Sequence, residues 1–102
     1  MRRVVITGLG IVSCIGNNKE EVLTSLKGQT SGIRYIPEYE EAGFRSHIAG
    51  RPQINPDDHI DRKQRRFMGD SAAYSYIALK EAIADAGLSD DMVSSPRTGL
   101  IA

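Results

Sequence analysis

Residues 3 to 7, Arg-Val-Val-Ile-Thr, constrain the fold more than any other stretch of this chain. The run is β-branched and apolar almost throughout. That suits a strand covered on both faces, as in a parallel or mixed sheet. A sheet of that kind needs helices packed on it, and the downstream pattern supplies them. Asn17 or Asn18 reads as a helix N-cap, with Glu20 and Glu21 available at the third helical position. The helix runs through Val22, Leu23 and Leu26 and stops near Gly28. Residues 28–33 read as a polar turn, and residues 35–43 as irregular or one short turn. Residues 44–50, FRSHIAG, alternate and predict a strand ended by Gly50 and Pro52. Asn55 caps a turn that has Pro56 at its first position.

Spacings of three and four among Met68, Ala72, Ser75, Leu79, Ile83 and Ala86 predict a long helix from about Lys63 to Ala86. Most of that face is small, so neighbours can approach closely. Gly87 and Leu88 predict a Schellman stop. Ser89 with Asp90 and Asp91 predicts a short helical turn, the acids suiting the helix dipole. RTGLIA, residues 97–102, predicts a last strand. Strand, helix, strand, long helix, strand is an α/β layer order. A chain of 102 residues is at most one domain, and this one closes on a strand that wants partners on both sides. The expectation is the opening piece of something larger.

Thirteen basic residues balance thirteen acidic ones. That neutrality argues against general nucleic-acid binding. Apolar runs are only a few residues long, so no segment spans a membrane. Gly8 and Gly10 break the apolar stretch behind Met1-Arg2-Arg3, which is therefore no signal peptide. A single cysteine allows no internal disulfide and fits a reducing, cytoplasmic setting.

Three features invite a chemical reading. Gly8 and Gly10 supply G-x-G after a strand, as in dinucleotide-binding turns. The third glycine position holds Ser13, and residues 28–34 lack the acid expected on a ribose. A tight connection needing glycine is the better reading. Cys14 has no local signature tying it to His47 or His59, and reads as a small buried thiol. Those three residues have no metal-ligand spacing. The third feature is Arg62, Lys63, Arg65 and Arg66, four of the thirteen basic residues, beside Phe67 and Met68. Phe67 and Met68 are expected to turn inward and anchor the helix. Charge runs are usually a solvated face, and phosphate binding would want interleaved exposed aromatics. Arg62 and Arg66 lie one helical turn apart, so their repulsion costs stability. An acidic partner explains that cost.

VVITGLGIVSCIGNN, RSHIAG, IDRKQRRFMGDSAAYSYIA, AIADAGL and RTGLIA together resemble the start of the bacterial β-ketoacyl-[acyl-carrier-protein] synthase I family. The resemblance runs the length of the chain. GLGIVS is shared by many condensing enzymes, whereas IDRKxxRFM with its small-residue helix favours synthase I over synthase II. It implies the N-terminal segment, residues 1–102, of a thiolase-like layered α/β/α fold. It also implies an acyltransferase that elongates fatty acyl chains by decarboxylative Claisen condensation, using a cysteine and two histidines and no cofactor. Cys14, His47 and His59 do not match those residues, so the resemblance puts no catalytic residue in this segment. Cys14 is itself a departure, where the family often has proline or serine. The family's homodimer and its acidic acyl carrier protein are the implied partners, with no nucleic acid or membrane. Docking of the carrier is carried over to Arg62, Lys63 and Arg66; the family pattern does not require a base at Arg65. Two rivals remain: a non-catalytic fragment that at most binds carrier protein, and a nucleotide-binding oxidoreductase domain.

Overall fold

A computed structural model describes residues 1–102. The first helix, α1 (Lys19–Lys27), opens where the caps predict. Asn18 Oδ1 accepts from Glu21 N–H at 2.9 Å, and Glu21 Oε2 accepts from Asn17 N–H at 2.7 Å. The side chains thus satisfy two backbone donors reciprocally. At the other end the left-handed residue is Gln29 (φ 54°), whereas Gly28 stays right-handed. Gln29 N–H bonds Leu26 O at 3.2 Å and Thr30 N–H bonds Ser25 O at 2.9 Å, which completes a Schellman stop.

Two short strands follow, β1 (Ile33–Tyr35) and β2 (Ile48–Gly50), antiparallel with Arg34 opposite Ala49. Only β2 lies within a predicted strand. Three residues between Gly32 and Ile36 are too few for alternation to show β1 in the sequence. Between the strands lies α2 (Pro37–Glu41), the short turn expected there. Next comes a 3₁₀ turn, Pro56–Asp58, whose Asn55 cap accepts from Asp57 N–H at 3.1 Å.

The long helix expected from Lys63 is two helices, α3 (Arg62–Arg65) and α4 (Asp70–Ala86), broken over 66–69. Gly69 is extended (φ −71°, ψ 169°) and caps α4. Glycine costs about 1 kcal/mol relative to alanine inside a helix, so the break falls where the helix is weakest. Gly87, at φ 67°, ends α4 in the predicted Schellman geometry, with Leu88 N–H on Ile83 O at 3.2 Å. Ser89 caps α5 (Asp90–Val93), again as expected.

The packed face of α4 is only partly the predicted one. Ile83 and Ala86 of that face are half-buried, whereas Ala72, Ser75 and Leu79 are exposed and the packing is taken over by fully buried Ala73 and half-buried Ala78 and Ala82. In a helix so rich in alanine, small residues lie all round and give the periodicity little phase. Contact sets the phase instead. A Cβ on Gly10 would lie 1.8 Å from Ala78 O, and one on Gly8 would lie 2.3 Å from Ala82 O and 2.7 Å from Ala86 Cβ. Two residues of extended chain advance about 6.6 Å and one helical turn about 5.4 Å, so Gly-x-Gly matches Ala-x-x-x-Ala.

Residues 3–7 and 97–102, both expected as strands, enter no β-ladder. A strand exists through its pairing, and neither segment is hydrogen-bonded into a ladder. Residues 6–8 and 98–100 border an open apolar cleft over Leu79, Ala82, Ile83 and Ala86 of α4. Val4 and Ile6 are each 92% exposed and Ile101 99%. The buried apolar residues are only Val22, Ile36, Ile60 and Ala73. The radius of gyration, 16.9 Å, exceeds the roughly 13 Å of a compact chain this long. No helix is long and apolar enough to cross a membrane.

Candidate functional site

Asp61 builds the basic turn. Its Oδ2 accepts from Lys63 N–H at 3.1 Å, which caps α3 and starts the helix at Arg62. One turn later Phe67 N–H bonds Gln64 O and Met68 N–H bonds Arg65 O, so the chain tightens before Gly69. Arg62, Lys63 and Arg66 are all exposed on this turn. Together with Asp57, Ile60 and Arg65, Arg62 and Arg66 line an open recess.

Arg65 differs from the other three. It is half-buried, with Nη2 2.8 Å from Asp70 Oδ1 and Nε 3.0 Å from Asp57 Oδ1. Its Nη1 donates to Met68 O at 2.5 Å. Its charge is therefore shared with two acids, whereas no carboxylate pairs with Arg62, Lys63 or Arg66. Sequence reading missed this role, although Asp57 and Asp70, flanking the basic run, were the available signal.

Phe67 does not anchor the helix: it is 79% exposed, and only Met68 is half-buried. The kink after α3 turns the Phe67 ring outward, where the Arg66 guanidinium lies 4.6 Å from its centroid. An exposed cation over an aromatic face is worth about 0.5–1 kcal/mol. The result is three cations without carboxylate partners, one of which, Arg66, lies over an exposed apolar ring.

Cys14 lies on the opposite kind of surface. Ser13 and Gly16 pair across it in a tight turn. The side chain is half-buried rather than buried, because it packs on backbone: a Cβ on Gly50 would lie 2.9 Å from Cys14 Sγ and one on Gly32 2.7 Å. Neither histidine lines the recess that holds Cys14. His47 Nε2 is 2.8 Å from Phe44 O, and its ring stands edge-on to Tyr35. His59 ends the 3₁₀ turn. The structure thus brings no nucleophile and base together from these three.

The glycines that resemble a nucleotide-binding turn hold the chain against α4. Leu9 N–H donates to Asp85 Oδ2 at 3.0 Å and Ile11 N–H to Glu81 Oε2 at 2.9 Å. Lys19 adds its N–H to Glu81 Oε1 at 2.9 Å and its ammonium to Asp85. The Lys19 pKa is raised above its ordinary 10.5, chiefly by its hydrogen bond to Asp85. The same bond, then that from Leu9 N–H, lowers Asp85 below 3.8. Backbone donors that a phosphate would need are taken by carboxylates, and α1 begins only at Lys19.

Residues 1–102 match the N-terminal domain of beta-ketoacyl synthases. The chain is 62% identical over 101 residues to 3-oxoacyl-[acyl-carrier-protein] synthase 1 of Haemophilus influenzae, covering 99% of this chain and 25% of that one. Against the Escherichia coli K12 protein of the same name the identity is 50% over 103 residues, covering 100% of this chain and 25% of that one. A Staphylococcus aureus 3-oxoacyl-[acyl-carrier-protein] synthase 2 is 38% identical over 97% of this chain and 24% of its own length. The fold matches a crystal structure of a beta-ketoacyl synthase from Burkholderia phymatum, with TM-score 0.71 and 34% identity, over 89% of this chain and 23% of that one. The chain spans about a quarter of the length of the curated relatives it matches. With one family covering every residue and the fold agreeing, the chain belongs to the beta-ketoacyl synthases, through their N-terminal domain.

Proposed function

We propose that this chain is the N-terminal segment of a 3-oxoacyl-[acyl-carrier-protein] synthase of the synthase 1 type. The observation that carries the reading is 62% identity to such a protein over nearly the whole chain, against 38% to a synthase 2. The complete enzyme, acting as a cytoplasmic homodimer, moves an acyl group from carrier protein to a cysteine. Malonyl carrier protein then loses carbon dioxide, and the resulting enolate attacks the acyl thioester. The new carbon–carbon bond forms as the cysteine thiolate leaves. Two histidines stabilise the developing enolate oxygen. Cys14, His47 and His59 are not those residues, so this segment contributes scaffold and docking surface.

Arg62, Lys63 and Arg66 dock the acidic carrier protein. Their exposure, and the absence of acidic partners within the chain, support that role. Charges so placed steer encounter and set orientation more than they add affinity. The test is carbon dioxide release by the full-length protein given acyl and malonyl carrier protein. Release with stoichiometric 3-oxoacyl product supports the reading. Absence of both from a folded full-length protein overturns it in favour of a carrier-binding protein without condensing activity.

A further inference from the structure

The half-buried guanidinium among the exposed cations has a different task from theirs. We infer that Arg65 is a positioning residue, which locks the elbow between α3 and α4 and so sets the angle at which Arg62, Lys63 and Arg66 meet an acidic carrier. The inference rests on the docking reading above for its function, and on geometry alone for the lock.

Three contacts carry it. Arg65 reaches back to Asp57 on the 3₁₀ turn, forward to Asp70 at the start of α4, and across the break to Met68 O. It thus ties together the three elements that converge at the elbow. Residues 66–68 are otherwise held by backbone bonds back to α3, with little side-chain packing at two points: Phe67 is exposed, and a Cβ on Gly69 would meet nothing within 4 Å. The 3₁₀ turn packs against both α3 and α4, with Pro56, Ile60 and Ala73 buried in this region. Arg65 then fixes the hinge between the two helices. The two Nη groups hydrogen-bond Met68 O and Asp70 while Nε faces Asp57 as an ion pair without a hydrogen bond, a planar spread that the single ammonium of a lysine does not reproduce. Because Arg65 and Asp70 together carry no net charge, the pair adds little to the field that an acidic partner meets.

Arg65→Gln and Asp70→Asn in the full-length enzyme test this, the second being a surface change that spares the fold. The readouts are carrier KM, kcat, the slope of binding against salt, and amide exchange of residues 66–69. Arg65→Gln should raise carrier KM about fivefold, since exposed pairs lose strength steeply when misaligned. The kcat, and activity on a small thioester without carrier, should hold. In the charge-conserving double variant Arg65→Gln with Asp70→Asn the salt slope should stay near that of the parent, whereas Lys63→Gln should flatten it, because net rim charge sets that slope. Arg65→Lys should not restore KM. Amides 66–69 should exchange faster in both Arg65→Gln and Asp70→Asn. A salt slope lowered in the double variant as much as by Lys63→Gln, or unchanged exchange at 66–69, overturns the positioning role. If Lys63→Gln and Arg66→Gln leave carrier KM untouched, the docking reading fails instead. The exchange data then still decide the lock.

Discussion

Ile11 and Glu81, 70 positions apart, are joined by a 2.9 Å hydrogen bond from backbone N–H to carboxylate. Lys19 N–H bonds the other oxygen of Glu81 at the same distance. One side chain on α4 therefore holds both the glycine segment and the start of α1. Asp85, one helical turn on, does the same for Leu9 N–H and the Lys19 ammonium.

Replacing Glu81 should loosen both attachments together. Glu81→Ala leaves two partly buried donors unmet, and each such loss costs about 1–3 kcal/mol. The expected destabilisation of the full-length protein is about 2 kcal/mol, with Glu81→Gln losing roughly half as much because one oxygen remains. Hydrogen exchange locates the effect: the Ile11 and Lys19 amides should exchange faster, while those in mid-α4 hold.

Gly10→Ala should be among the most damaging small changes in the chain. Its Cβ would lie 1.8 Å from a backbone oxygen, which cannot rotate away as a side chain can. Overpacking of this kind costs about 1–3 kcal/mol or more. Gly69→Ser, where nothing lies within 4 Å, should instead gain up to about 0.5 kcal/mol as a better N-cap. Urea midpoints of the two variants should move in opposite directions.

Lys19 and Asp85 predict two pH edges. Asp85 has a lowered pKa, so its contribution is complete above the ordinary 3.8 and disappears as pH falls through the lowered folded value. Lys19 has a raised pKa, so its contribution is complete below 10.5 and disappears as pH rises through the raised value. Asp85→Asn should therefore be less stable than the parent between these limits, by an amount that salt reduces. The two stability curves should converge at strongly acid pH and approach each other at strongly alkaline pH, where the Leu9 N–H bond to Asp85 remains.

Charge reversal tests the docking face directly. Lys63→Glu with Arg66→Glu removes two attractions, each worth about 0.2–1 kcal/mol when exposed, and adds repulsion. Carrier binding by the full-length enzyme should weaken on the order of tenfold at moderate ionic strength, the loss arising in association rate. High salt should narrow the gap. Activity on a small thioester should stay near that of the parent, and an equal loss there would remove the docking assignment.

Expressed alone, residues 1–102 should self-associate and should release no carbon dioxide from malonyl carrier protein. Val4, Ile6, Leu100 and Ile101 present apolar surface without cover, and residues 3–7 and 97–102 have unpaired backbone groups. Sedimentation should show concentration-dependent species. A monodisperse, strongly protected monomer would contradict this expectation.

Local chemistry was legible from the residues alone. Asn18, Asn55 and Ser89 cap where their side chains demand, and Gly87 ends α4, because each depends on a few neighbouring residues. The family resemblance was legible for the same reason, being a matter of order along the chain. What the sequence could not settle were relations across space. Alanines all round α4 carry no phase, so the face that packs was chosen by Gly8 and Gly10, more than sixty residues away. The apolar runs at 3–7 and 97–102 announce strands, yet a ladder needs a neighbour and neither finds one. Four consecutive-looking cations read alike in one dimension. Folding separates them, because only Arg65 lies between Asp57 and Asp70, and a charge becomes structural or available according to which carboxylates surround it.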